Sequence, residues 1–121
     1  MTKTCCGPGY ASPLEAMEAP REKLLYTIAI YVGTGIQAPD YLATIDGDPE
    51  SETYSKVISR CEMPNIGDEL HHMGWNACSS CFNDAKMERK YLIVPGVRSS
   101  NIHIIDCVTN PREPKLFKVI A

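Results

Sequence analysis

From residue 24 onward the chain alternates short apolar runs with polar breaks, and the runs have the period of strands rather than helices. LLYTIAIYV (24–32) is rich in β-branched and aromatic residues and is closed by Gly33 and Gly35. YLATID (41–46), YSKVISR (54–60), ELHHMGW (69–75), YLIVPGV (91–97), NIHIIDC (101–107) and KLFKVI (115–120) follow, most of them separated by Gly, Pro, Asn and Asp. No helical pattern of about ten residues or more interrupts them. The pattern predicts an all-β fold.

Residues 1–23 read differently. Ser12-Pro13-Leu14-Glu15 supplies a capping serine, a proline at the first helical position and a glutamate at the capping-box position. One short helical turn is expected, stopped by Pro20, whose ring and missing N–H oppose continuation. The expected organisation is an N-terminal arm, 1–23, docked on a β domain, 24–121.

The β region repeats itself. YLATIDGDPESETYSKVIS and NIHIIDCVTNPREPKLFKVI share an apolar strand ending in aspartate, a polar loop containing proline, and a second strand with Lys-Val-Ile. Asp46 and Asp106 are sixty residues apart. Each unit reads as the outer hairpin of a repeated sheet, with 69–75 and 91–97 as the inner strands of the second. Four strands per unit is the layout of a β-propeller blade, with a generic antiparallel sandwich as the alternative. Propellers close with about four to eight blades, and this chain holds material for about two. The expectation is therefore an incomplete β-propeller, its blade-like units at about 24–60 and 69–121. Its open edge strands would pair with a partner, another copy or the rest of a longer protein.

Composition narrows the function classes. The 121 residues carry a net charge of −3 with both signs interspersed, and no Lys/Arg block marks a nucleic-acid surface. No apolar run approaches the roughly twenty residues a transmembrane helix needs, and MTKTCCGPGY has no apolar segment of signal-peptide type. The expected location is the cytosol, with the nucleus open to a chain of this size. In a reducing compartment Cys5, Cys6, Cys61, Cys78, Cys81 and Cys107 are thiols, ligands or redox groups before they are a disulfide framework.

Chemistry concentrates in DELHHMGWNACSSCF (68–82). Cys78 and Cys81, two thiols three positions apart, can chelate a soft ion, close a reversible disulfide or hold selenium between two sulfurs; they can equally be unreactive residues of a tight loop. The helix start of a βαβ unit that activates thioredoxin-type pairs is absent. His71 and His72 precede them, and all four side chains are conceivable zinc ligands. Adjacent residues in a strand face opposite ways, however. One histidine is therefore expected to face the propeller axis as a metal ligand, completed by residues from other blades, while the other packs within the blade. Trp75 is read as packing between blades, His103 as a satisfied or solvent-facing histidine, and Cys61 and Cys107 as structural. Cys5 and Cys6 are adjacent, and adjacent cysteines do not readily bond to each other.

Taken together, CGPGYASPLEAMEAPREKLLY, APDYLAT followed by an aspartate, DELHHMGWNACSSCF and PREPKLFKVI resemble the N-terminal part of the selenium-binding proteins, also known as methanethiol oxidases. The similarity runs from Cys6 to Ile120. It implies a propeller of about seven blades in full-length members, located in cytosol and nucleus and at membrane surfaces, with selenium binding and a role in intra-Golgi protein transport attributed to the family. The implied activity is oxidation of methanethiol, a small thiol, by oxygen and water to formaldehyde, hydrogen peroxide and hydrogen sulfide, with copper as cofactor. On that resemblance His71 and His72 are the local metal contributors, and Cys78 and Cys81 the selenium or soft-metal site. Ser55 stands where vertebrate-type members carry a cysteine implicated in selenium attachment. The chain would be a truncated member, and without catalysis it would act as a selenium- or metal-binding or edge-pairing module.

Overall fold

The computed structural model describes residues 7–121. Ser12 caps α1 (Pro13–Glu18) by accepting the Glu15 amide on its hydroxyl, and Pro13 opens the helix, as the sequence pattern requires. Two antiparallel sheets follow. The first joins β1 (Leu24–Ala29), β2 (Pro39–Asp46) and β3 (Val57–Ile66) in sequence order. The second joins β4 (Gly74–Trp75), β5 (Tyr91–Pro95), β6 (Ile102–Asp106) and β7 (Lys115–Ile120), also in order. The class is mostly β, as expected.

Side-chain capture of backbone amides moves several boundaries. β1 stops at Ala29 rather than residue 32, because the Asp40 carboxylate takes the Tyr31 amide and a turn closes at Thr34. β3 starts at Val57 rather than 54. The Ser51 and Thr53 hydroxyls donate to the Asp46 carboxylate at 2.6 and 2.5 Å, and Ser55 takes up φ 65°, which holds 51–56 as a turn. β3 then continues to Ile66, past the expected end at 60, burying Cys61 and Met63 on alternate positions. It tolerates Pro64 because it is an edge strand. The expected strand 69–75 shrinks to a Leu70–Gly96 bridge and the two residues of β4. The first sheet, three strands rather than four among the described residues, leaves one edge of β1 unpaired.

The core lies between the sheets. Leu42, Cys61 and Met63 of the first meet Leu70, Leu92, Val94, Ile105 and Cys107 of the second, flanked by Tyr26, Ile28, Trp75 and Leu116. Each fully buried aliphatic side chain contributes about 1.5–3 kcal/mol. Polar contacts fix the register between the sheets: Tyr26 donates its hydroxyl to the Pro111 carbonyl at 2.6 Å and meets Trp75 edge-on. Arg112 reaches the Asp46 carboxylate at 3.5 Å.

Candidate functional site

The segment 68–82 is anchored at its start by two buried carboxylates. Asp68 accepts the Arg98 and Ser99 amides at 3.0 and 2.8 Å and the Ser99 hydroxyl at 2.6 Å. Burial works against its charge, but the Ser99 hydroxyl and the two amides outweigh it and hold its carboxyl below the usual range. Asp40, at the start of β2, accepts the Leu70 amide at 3.0 Å and so ties the first sheet to the residue preceding the histidines. Sequence reasoning passed over both roles. The signal was available in principle, since aspartate beside a turn commonly captures amides that no ladder satisfies.

His71 and His72 do not alternate across a strand. Between the Leu70 bridge and Gly74 no ladder holds the backbone, so the strand geometry that would separate the two rings is missing. Both side chains are exposed, and their rings lie 4.5 Å apart, tilted by 52°. The separation of the two rings that strand alternation predicts is not formed: the imidazoles stand side by side at the surface.

Cys78 and Cys81 flank a single 3-10 turn, Ser79–Cys81, closed by the Cys81 amide on the Cys78 carbonyl at 3.0 Å. The exposed Cys78 sulfur lies 2.8 Å from the Ser80 hydroxyl. That hydroxyl, helped by the Ser80 amide, pulls the Cys78 thiol below its ordinary range. The loop carrying the pair is clamped at its base by Asn76, whose amide donates to the Glu88 carbonyl and whose carbonyl accepts the Lys90 and Tyr91 amides. The N-terminal arm packs on the turn. Gly7 and Gly9 both have positive φ, and a Cβ at Gly7 would sit 2.6 Å from the Cys81 carbonyl oxygen. A Cβ at Gly9 would sit 2.7 Å from that of Ser79. Glycine is required at both positions.

The four chemical residues of the segment do not converge. Among the described residues no group of three or more His, Cys, Asp or Glu side chains is placed to hold a metal ion. A zinc site from His71, His72, Cys78 and Cys81 is therefore not formed. Two imidazoles without a third donor do not make up a copper centre by themselves. Cys61 and Cys107 are buried, and burial pushes both thiols up, Cys107 to about 11. His103 is buried with Nδ1 2.8 Å from the Val94 carbonyl, while its Nε2 has no partner. Cys5 and Cys6 lie outside the described residues.

Comparison with known proteins places this arrangement. The sequence pattern of the 56 kDa selenium-binding protein family (SBP56) matches residues 4–121. The chain belongs to this family. It is 59% identical over 121 residues to "Selenium-binding protein 2" of Arabidopsis thaliana, covering 98% of this chain and 25% of that protein. To "Methanethiol oxidase" of Rattus norvegicus it is 59% identical over 117 residues, covering 97% of this chain and 25% of that one. The X-ray structure of a hypothetical selenium-binding protein from Sulfolobus tokodaii superposes with a TM-score of 0.82 at 54% identity, over 92% of this chain and 25% of that one. This member of the family thus spans about a quarter of the length of the relatives it matches. No helix among its described residues is long and apolar enough to cross a membrane.

Proposed function

We propose that this chain is the N-terminal quarter of a selenium-binding protein of the methanethiol oxidase type, and that its own chemistry is capture of selenium(II) by Cys78 and Cys81. The observation that carries the reading is the exposed Cys78 thiol, lowered by Ser80, one turn from its partner. The step is an exchange without net oxidation. Each cysteine thiolate attacks selenium held between two small thiols, two S–Se bonds form and two break, and the two small thiols leave with the cysteine protons. The product holds one selenium between the two sulfurs.

The two sheets are read as the first two blades of a propeller and residues 1–23 as its arm. The repeated hairpins, each with an aspartate capturing loop hydroxyls at the end of its middle strand, support that reading. In a full-length protein of this kind His71 and His72 would contribute imidazoles toward copper, completed by donors from elsewhere, and the small thiol oxidised would be methanethiol. Cytosolic and nuclear location, association with membrane surfaces and a part in protein transport belong to that whole-protein reading.

The test is incubation with selenodiglutathione followed by intact-mass measurement. The expected product gains one selenium and loses two hydrogens, and Cys78→Ser and Cys81→Ser each abolish it. Unchanged uptake in both variants overturns the assignment.

A second reading, pairing through an edge strand, is favoured by a groove of about 670 Å³ beside β1, lined by Leu24, Tyr26, Met73, Trp75 and Arg89. Among the described residues β1 has no strand neighbour on its outer side in the first sheet, and an unpaired edge is the position an added strand would take. Amide exchange along β1 that slows with a bound partner peptide would support it; exchange unaffected by any bound segment would remove it.

A further inference from the structure

The turn that carries Cys78 and Cys81 has a cationic neighbour that the thiols do not use. Gly9 touches both: a Cβ built there would lie 2.7 Å from the Ser79 Cβ and 3.3 Å from an Arg89 terminal nitrogen. The Arg89 guanidinium therefore stands against the residue that follows Cys78. Among the described residues Arg89 makes no ion pair, and its Nε is buried without a hydrogen-bond partner. Buried polar groups are nearly always satisfied, and a guanidinium presents five donors in a fixed fork. A carboxylate is the acceptor that fits this fork, through two parallel hydrogen bonds.

The surroundings favour an anion. Arg89 lines the groove beside β1 together with Arg21, Glu22 and Lys23. The latter three precede β1 and Arg89 precedes β5, so these charges gather at one end of the groove, while Tyr26 and Trp75 wall the rest. Lys23 is paired with Asp48 at 3.0 Å, and Glu22 accepts the Tyr10 hydroxyl at 2.8 Å. Arg21 and Arg89 against Glu22 leave a positive excess. At about 670 Å³ the groove is in the range that holds a drug-sized molecule. An added edge strand would run along the β1 backbone, whereas a carboxylate needs only the charged end.

We propose that Arg89 docks a carboxylate of the molecule that delivers selenium to Cys78 and Cys81, so that the donor is an anionic peptide thiol adduct rather than an adduct of a neutral thiol. The proposal rests on selenium capture by the cysteine pair and adds to it the choice of donor. The exchange itself is unchanged: Arg89 holds the donor while its S–Se bonds meet the turn, and the small thiols leave with the cysteine protons.

Two measurements on the full chain test it. The first needs no selenium. S-methylglutathione, which has the carboxylates and no free thiol, is titrated into isotope-labelled protein while the Arg89 Nε–H and Ser79 amide resonances are followed. Both are expected to shift saturably, and less in high salt. Arg89→Met should weaken the binding read at Ser79 by about tenfold. Resonances that do not respond overturn the proposal, whether or not the chain takes up selenium.

The second compares loading from selenodiglutathione with loading from the neutral selenium adduct of mercaptoethanol. Arg89→Met is expected to slow the first by about tenfold and leave the second unchanged. Arg89→Lys, which keeps the charge but not the fork, should recover part of the loss. Equal slowing with both donors would show that Arg89 only supports the turn, and the proposal fails. If neither donor loads the unaltered chain, selenium capture fails and the proposal with it, even where the titration shows a carboxylate on Arg89.

Discussion

The Asp40 carboxylate of the first sheet accepts the Leu70 amide of the second at 3.0 Å, one residue before the histidine pair. Its other oxygen takes the Tyr31 amide, so one buried side chain both ends β1 and fixes the entry to the candidate site. Asp40→Ala leaves two amides without their acceptor and is expected to cost about 1–3 kcal/mol in urea denaturation. Amide exchange at Leu70 should accelerate more than at Leu92, whose place in the β5–β6 ladder is independent of Asp40. Equal acceleration at both would mean a general loss of stability and no latch.

Gly96 is a second fixed point. A Cβ there would collide with the Asp68 carboxylate, which is itself committed to Arg98 and Ser99. Gly96→Ala should therefore destabilise the chain by about 1–3 kcal/mol, the range for overpacked sites. Gly33→Ala meets no neighbouring atom, and its cost is limited to the positive φ. Equal thermal shifts in the two variants would count against the collision.

Thiol labelling should follow the electrostatics. Iodoacetamide at pH 8 is expected to modify Cys78 well before Cys61 or Cys107, which burial keeps protonated and enclosed. Ser80→Ala removes the hydroxyl that stabilises the thiolate and should move the pH midpoint for Cys78 labelling upward. Peptide mapping by mass spectrometry reads both results, and an unshifted midpoint would show that Ser80 does not set the reactivity.

Acid should unfold the chain through its loop aspartates. The carboxyls of Asp46 and Asp106 are held low, the first chiefly by the Ser51 hydroxyl and the second by that of Thr109. A group with a depressed folded value stabilises above its unfolded value, near pH 4, and loses that contribution as pH falls toward the folded value. Urea midpoints should thus be nearly flat from about pH 7 to 5 and fall below about pH 4. Asp46→Asn should flatten that fall; an unchanged acid limb would exclude Asp46 as a source.

Methanethiol oxidation is not expected from this chain alone, because among the described residues no third donor is placed beside His71 and His72. Peroxide release measured with copper-loaded protein and methanethiol should match the protein-free control. Copper-dependent peroxide above that control would show that the quarter-length chain is sufficient.

Much of this was legible in the chain itself. Strand period, the Ser12-Pro13 helix start and the paired Asp46 and Asp106 hairpins are local patterns, and local hydrogen bonding and burial reproduce them. The Cys78–Cys81 spacing likewise sets its own turn, because a few consecutive residues suffice to close it. Other features depend on residues distant in sequence. Asp40 and Asp68 take amides some thirty residues away, so no spacing announces them. The same capture leaves His71 and His72 outside the ladder, where strand alternation no longer applies and their rings meet. Local pattern determined the strands and the thiol pair, and the resemblance carried by the longer motifs pointed to the family. Only the packing of one sheet on the other decided which carboxylates are locked and where the histidines point, because long-range hydrogen bonds and burial are settled when the sheets meet.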